Sequence, residues 1–438
     1  MSQTQSLQPG FEDMHPSLTP REAVVEANRC LYCFDAPCAL ACPTHIDVPG
    51  FIKRIASGNL TGSAFKILDA NVLGLSCARV CPVNVLCEGA CVMYRYNKQP
   101  IKIGRLQRHA MEHFYGAGLR LEAGSQRQGR VACIGAGPAS LACAAELRRR
   151  GIAVTIFEKR NLPGGLNTYG VAEYKLTAKA SIEETELIRA LGVQFELGVV
   201  VGDGLPVSAL EDRFDIVFLG VGLGPTQPLG IPGEDLKGVV DALRFIAEYK
   251  TVGRVELGRR VAVVGGGNTA MDAAVASRLL GATEVHMLYR RGESEMPAFV
   301  HEYETARQHG VRFHWRVQPE AIRGNGAVER IECVYVEPVD AGGKRGVRPI
   351  PGSHFSLDCD MVIISIGQSR LLDFLAGCRG IELRNGLVVV DSRTGATANP
   401  RYFAAGDCVN GGREVVDAAA EGKRAAAGIA VRLRELYG

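Results

Sequence analysis

The sequence predicts an α/β protein: a helical, cysteine-rich amino-terminal module followed by two Rossmann-like dinucleotide-binding domains, the second inserted in the first. Three observations carry this. Eight of the 14 cysteines lie between Cys30 and Cys91; two glycine-rich turns each follow a short apolar strand; and residues 355–438 return to strands and a long alanine-rich helix. At 438 residues the chain exceeds what one hydrophobic core usually supports, so two or three domains are expected.

Residues 1–17 read as a flexible tail. Thr19-Pro20-Arg21-Glu22 then has the form of a helix start, with Thr at the cap, Pro at the first helical position and an acid in the first turn. The cysteine module spans 18–125, and Gly124-Ser-Gln-Arg-Gln-Gly129 is polar enough for a linker. Arg130–Ile134 and Val154–Glu158 are apolar strands flanking a glycine turn and a helix, which is a βαβ unit. A second unit opens at Val261–Val264 and continues to Glu284–Tyr289. The first nucleotide domain is expected over 126–255 and 361–438, and the inserted one over 256–360.

A composition of 47% apolar and 22% charged residues is that of a globular protein. The net charge of +3 and the lack of any block of five or six like charges argue against nucleic acid as the main partner. No apolar run could span a bilayer, and the first residues carry acids and prolines where a signal peptide would be apolar, so a cytoplasmic protein is expected, without membrane contact. In that reducing compartment 14 cysteines point to metal or redox chemistry rather than to disulfides.

The first four cysteines read Cys30-x2-Cys33-x4-Cys38-x3-Cys42-Pro43, and the next four Cys77-x3-Cys81-Pro82-x4-Cys87-x3-Cys91. Iron-sulfur cubes need thiolates converging from a tight loop plus a distant closing ligand, and a cysteine before proline serves the other cluster in two-cluster ferredoxins. Structural zinc is the competing reading, but it favours paired Cys-x2-Cys knuckles and only Cys30/Cys33 makes one. Two 4Fe-4S clusters are expected, and spacing alone leaves all eight cysteines eligible as ligands.

In the first nucleotide unit, Gly135, Gly137, Pro138, Ala139 and Ser140 form the turn that opens a helix, where backbone N–H groups and the helix dipole meet a pyrophosphate. Ser140 departs from the usual third glycine. Glu158, beside Lys159, ends the next strand 23 residues after Gly135, where a carboxylate can bind ribose hydroxyls. Gly406-Asp407 after an apolar strand looks like the second FAD fingerprint of two-dinucleotide-binding flavoproteins, and Gly165, Leu166 and Gly222 match the same architecture. FAD is the expected cofactor here. The second turn contains Gly265, Gly267, Asn268, Thr269 and Ala270, with Arg290 and Arg291 at the following strand end where an NAD site carries an acid. Guanidinium groups there suit a 2'-phosphate, which favours NADPH and leaves NADH open. No single residue is needed as an acid or base, because hydride transfer from NAD(P)H to flavin belongs to the cofactors. The lack of a Cys-x-x-Cys or comparable pair after Cys91 argues against a disulfide reductase.

Arg29-Cys-Leu-Tyr-Cys-Phe-Asp-Ala-Pro-Cys38, Ala41-Cys-Pro-Thr44, Asn71-Val-Leu-Gly-Leu-Ser-Cys-Ala-Arg-Val-Cys-Pro82 and Ile101-Lys-Ile-Gly-Arg-Leu-Gln107 resemble the amino-terminal module of dihydropyrimidine dehydrogenase. The resemblance implies one cluster on Cys30, Cys33, Cys38 and Cys91, and a second on Cys42, Cys81, Cys87 and Gln107, leaving Cys77 out. A neutral amide in place of a thiolate would make that cluster less negative and raise its potential. Over nearly the whole chain the likeness is to the NAD(P)-dependent subunit of the bacterial enzyme. That implies an electron-entry subunit in a hetero-oligomer, with an FMN- and iron-sulfur-containing catalytic partner that reduces uracil and thymine. The small subunit of glutamate synthase is the rival family, similar over Tyr289-Arg-Arg-Gly-Glu-Ser-Glu-Met-Pro297. Gln107, where that family has glutamate, and Asp35-Ala-Pro-Cys38 favour the pyrimidine enzyme.

Overall fold

The computed structural model describes residues 11, 13, 14, 16–341 and 344–438. Its contacts divide the chain into two compact units. One comprises Asp13–Thr168, Lys175–Leu223 and Arg370–Gly438; the other comprises Met1–Glu12, of which Phe11 alone is described, with Tyr169–Tyr174 and Gly224–Ser369.

The larger unit begins with helices Pro20–Ala27, Pro37–Leu40, Val48–Ala56, Leu60–Ala70, Gly74–Val80 and Ile103–Gly116. The first starts as the sequence predicts: the Thr19 hydroxyl accepts from Glu22 N–H at 3.3 Å while Glu22 Oε2 accepts from Thr19 N–H at 2.8 Å, a reciprocal cap that satisfies two otherwise orphaned donors. Val48, Phe51, Ile52 and Ile55 fall at helical spacing and are buried, so Val48–Ala56 packs by one apolar face. On Ile103–Gly116 the buried Phe114 meets Phe65 edge-on, with centroids 5.7 Å apart.

Behind this module lies a five-stranded parallel sheet in the order Tyr402–Ala404, Ile216–Leu219, Arg130–Ile134, Ala153–Glu158, Gln194–Leu197. Its central strands are apolar on both faces because helices cover both. Helix Pro138–Arg149 crosses the long carboxy-terminal helix Val415–Tyr437 at close range. A Cβ on Gly422 would stand 2.2 Å from the Ala139 carbonyl oxygen.

A second parallel sheet organises the other unit, in the order Val239–Asp241, Met361–Ile364, Arg260–Val264, Glu284–Tyr289, Arg312–Trp315. Strand Val239–Asp241 and helix Ala242–Ala247 thus join this sheet although they precede residue 256. An antiparallel sheet of Val317–Arg323, Arg330–Ala341 and Lys344–Asp358 packs beside it through Val317, Ile322, Ile331 and Cys333. The chain enters and leaves through paired segments: Gly224 N–H donates to Ser369 O at 2.9 Å, and Ser369 N–H to Pro225 O at 2.8 Å. The second dinucleotide domain is therefore an insertion in the first.

Of the segment expected to be a tail, residues 1–10, 12 and 15 lie outside the described residues. Phe11 is buried and stacks on Tyr249 at 5.4 Å. Asp13 takes a bidentate bond from Arg108, at 2.9 and 2.6 Å, and a third from Arg79 at 3.1 Å. Among the described residues no helix is long and apolar enough to cross a membrane.

The Gly422 contact gives a test of the packing. Gly422→Ala gains up to about 1 kcal/mol of helix propensity, yet its methyl would meet main chain that no rotamer change can clear. Overpacking of roughly 1–3 kcal/mol should win, so the variant should unfold at lower denaturant concentration than the parent.

Candidate functional site

Four cysteines from separate segments line one recess. Cys30 and Cys33 lie on the loop after helix Pro20–Ala27, Cys38 in the helix Pro37–Leu40, and Cys91 at the cap of the 3-10 turn Val92–Tyr96. The loop turns tightly because Tyr32 adopts φ +49° and its hydroxyl donates to Ala27 O at 3.0 Å. Val48, Ile52, Met93 and Ile101 complete the apolar wall of a recess of about 350 Å³, counting its mouth. Burial pushes the Cys38 thiol up to about 12, and the neighbouring Cys30 and Cys91 sulfurs add to the shift. Burial likewise raises Cys30, partly offset by a backbone hydrogen bond at Tyr32, with Cys33 and Cys91 contributing. A metal-centred positive charge would favour the thiolate form of both.

The remaining cysteines of the module form a second group. Cys81 is raised first by a hydrogen bond with Cys77, then by burial and the sulfurs of Cys77, Cys87 and Cys42; Cys87 is raised by burial, then by Glu88 and Cys42. Gln107 is buried, its Nε2 donating to Gly74 O at 2.7 Å. Its Oε1 has no hydrogen-bond partner among the described residues and is free to act as a neutral oxygen ligand. Cys77 Sγ accepts from Asn71 Nδ2 at 3.1 Å. Among the described residues no three Cys, His, Asp or Glu side chains are close enough to share one metal ion.

A buried carboxylate ties the cysteine module to the part of the same unit that carries the first glycine turn. Glu184, on helix Ala178–Ala190, accepts from Leu75 N–H at 2.7 Å, from Ser76 N–H at 3.0 Å and from the Ser76 hydroxyl. Burial pushes its carboxyl up to about 7 against those stabilising bonds. Helix Gly74–Val80, which carries Cys77 and is capped by Cys81, is held by this contact. Sequence reasoning missed Glu184, because its partners lie 108 and 109 residues away.

At the first glycine turn, Gly135 has φ +89° and a Cβ there would stand 2.6 Å from Gly220 O, so only glycine fits. Gly137 differs: the nearest atom to its would-be Cβ is 4.0 Å away, so the protein itself leaves room for a ligand to approach the backbone. Glu158 is buried, with Oε2 accepting from Ala136 N–H at 2.8 Å and Oε1 from Arg160 N–H at 2.9 Å. Lys159 is exposed. Gly164 N–H donates to Ala136 O at 2.9 Å, which sets the Gly164-Gly165-Leu166 turn against the fingerprint. Ser140 is fully buried against Gly220, its Oγ without a partner among the described residues. Gly406 N–H donates to Glu421 Oε2 at 2.8 Å, another contact the sequence reading missed. Asp407 starts a short helix, and its carboxyl is raised by burial and lowered by Arg413 N–H. Gly137, Glu158, Gly222 and Asp407 all follow the carboxyl ends of neighbouring parallel strands, where open α/β sheets bind ligands.

The second turn repeats the arrangement. A Cβ on Gly265 would meet Ser365 O at 2.2 Å, whereas one on Gly267 would find nothing within 4 Å. Asn268 Oδ1 accepts from Phe299 N–H at 2.9 Å, Thr269 follows in the first helical turn, and Ala270 is fully buried. The Tyr289 ring lies against Gly266 and its hydroxyl donates to Glu295 O at 3.0 Å. Arg290 is exposed and Arg291 half-buried just beyond the strand, neither paired with a carboxylate among the described residues. Two glycine cradles open to a ligand, and two groups of cysteines gathered in one small module, fit dinucleotides and iron-sulfur clusters respectively.

Comparison with known proteins agrees. Residues 7–118 match the 4Fe-4S cluster domain II of dihydropyrimidine dehydrogenase, and residues 129–422 match the pyridine nucleotide-disulphide oxidoreductases. The glutamate synthase [NADPH] small chain of Escherichia coli (strain K12) is 34% identical, over 96% of this chain and 93% of its own. The NAD-dependent dihydropyrimidine dehydrogenase subunit PreT of Salmonella typhimurium is 33% identical, over 97% of this chain and 98% of its own. In fold, FprA of Mycobacterium tuberculosis, solved in complex with NADPH, superposes with a TM-score of 0.58 at 21% identity, covering 70% of this chain and 85% of FprA. The chain belongs to the pyridine nucleotide-disulphide oxidoreductase family, carries the dihydropyrimidine dehydrogenase 4Fe-4S module ahead of it, and is an NAD(P)H-dependent iron-sulfur flavoprotein oxidoreductase.

Proposed function

We propose that the chain is the electron-entry subunit of a dihydropyrimidine dehydrogenase, oxidising NAD(P)H through FAD and two 4Fe-4S clusters for a partner that reduces uracil and thymine. Cys30, Cys33, Cys38 and Cys91 would hold one cluster, and Cys42, Cys81, Cys87 and Gln107 the other. The glycine turn at 135–140, Glu158, Gly165, Leu166, Gly222 and Asp407 would hold FAD; the turn at 265–270 with Arg290 and Arg291 would hold the nicotinamide nucleotide. The module at 18–125 would hold the clusters; the nucleotide domain expected at 256–360 widens to Gly224–Ser369, because Val239–Asp241 and Met361–Ile364 are strands of its sheet, and the residues flanking that insertion would hold FAD. Bound together, these groups supply hydride acceptance and its division into single electrons. The protein supplies position. Its glycine turns let the pyrophosphates reach backbone N–H groups, Glu158 offers carboxylate lone pairs to ribose hydroxyls, and Glu184 fixes the cysteine loop on the flavin side.

The observation that carries this reading is the recess shared by Cys30, Cys33, Cys38 and Cys91, four thiols from three segments brought together in an apolar wall. The partner would be an FMN- and iron-sulfur-containing catalytic subunit in a hetero-oligomer, which the full-length match to the PreT subunit supports. A glutamate synthase small chain is the second reading, favoured by its comparable match and by Tyr289-Arg-Arg with Met296-Pro297.

Two experiments test these assignments. Gln107→Ala should lower iron content and change the cluster spectrum while Cys77→Ser leaves both nearly unaltered; the reverse would transfer the ligand role to Cys77. Affinity purification of the native complex should recover an FMN protein that consumes uracil with NAD(P)H. Recovery of an enzyme forming glutamate from glutamine would replace the first reading with the second.

A further inference from the structure

We propose that Arg316 supplies a third guanidinium to the 2'-phosphate pocket and so helps set coenzyme choice, an inference that rests on reading Arg290 and Arg291 as 2'-phosphate partners. Arg316 is distant in sequence from that pair but not in the sheet. Strand Arg312–Trp315 runs parallel to Glu284–Tyr289 with Tyr289 paired to Trp315, so both strands release their next residues at one edge. Arg316 N–H donates to Arg291 O at 3.0 Å, and Arg316 O accepts from Val336 N–H at 2.8 Å. These two bonds pin the residue between the end of one strand and the antiparallel sheet.

Its backbone is unusual. Arg316 takes φ +56°, a left-handed conformation that Asn, Asp or Gly adopts more readily. The side chain is exposed and turns back over the neighbouring loop: Arg316 Nε lies 3.9 Å from the position of a Cβ on Gly292. Glu295 is the acid beside this point, and its Oε2 is engaged in capping Gly292 N–H at 3.2 Å. Arg290, Arg291 and Arg316 form no ion pair, side-chain hydrogen bond or ring contact among the described residues. Arg312, on the same strand as Arg316, pairs instead with Glu284 at 3.5 Å. Three arginines just beyond two neighbouring strand ends, none paired with a carboxylate among the described residues, match a phosphate that accepts several charge-assisted bonds, and a free 2'-hydroxyl would use none of that charge.

The test is direct titration of the purified holoenzyme with NADP+, NAD+ and 2',5'-ADP, comparing dissociation constants. Arg316→Asn keeps a residue that tolerates the left-handed turn, and Arg316→Lys keeps a charge. Arg316→Asn should weaken NADP+ and 2',5'-ADP by roughly tenfold, as loss of a charged phosphate contact does, and leave NAD+ unaltered, with Arg316→Lys intermediate. Equal losses for NADP+ and NAD+, or no loss for NADP+, would overturn the role of Arg316. Arg290→Ala separates the two levels: a selective NADP+ loss there with none in Arg316→Asn sinks only Arg316. A parent that prefers NAD+, with no selective effect of Arg290→Ala, sinks the underlying pocket as well.

Discussion

Buried sulfur without a counter-ion is the constraint on which this structure depends. Cys38 is held up to about 12 by burial and by neighbouring sulfurs, and Cys30, Cys81 and Cys87 are all raised. Burial that destabilises these thiolates would be offset by a multivalent cationic centre that took their charge. The tight turns of the module, with Tyr32 in a left-handed turn, bring such ligands together at the edge of an apolar core of Phe51, Ile52, Ile55, Leu106 and Phe114.

Glu184 connects that module to the rest of its unit. A single carboxylate accepting from Leu75, Ser76 and the Ser76 hydroxyl fixes the helix that carries Cys77 and leads to Cys81. Lys423 adds a second tie from the carboxy-terminal helix, its Nζ donating to the Asp69 and Ala70 carbonyls at the end of helix Leu60–Ala70. Under the proposed function, in which electrons pass from flavin to clusters, these polar contacts between the cysteine module and the helices of the first dinucleotide domain would hold the two at a fixed separation. Burying the Glu184 carboxyl has a cost, seen in its rise to about 7, which its three hydrogen bonds partly offset.

Local chemistry made much of this legible in the sequence. The Thr19 cap, both glycine turns and the strands at 130–134 and 261–264 follow from short-range rules, and each forms where the pattern places it. The insertion was legible because strand signals resume after residue 355. What escaped depends on long-range contact. Glu184, Glu421 and Arg316 look like ordinary surface residues until strand order and helix packing bring them to a turn. The long hairpin of Arg330–Ala341 and Lys344–Asp358 was also missed, since Pro338, Pro349, Pro351 and Gly352 obscure the alternation that marks a strand. Spacing could not decide between Cys77 and Gln107, because both are buried beside the same short helix.

The most direct measurement is the iron and acid-labile sulfide content of protein purified without oxygen, taken with its spectrum before and after NAD(P)H. The account predicts about eight of each per chain, as two cubes require, with flavin bleaching and reduced-cluster signals in the same sample. Iron-free protein with an intact amino-terminal module, or stoichiometric zinc in its place, would contradict it.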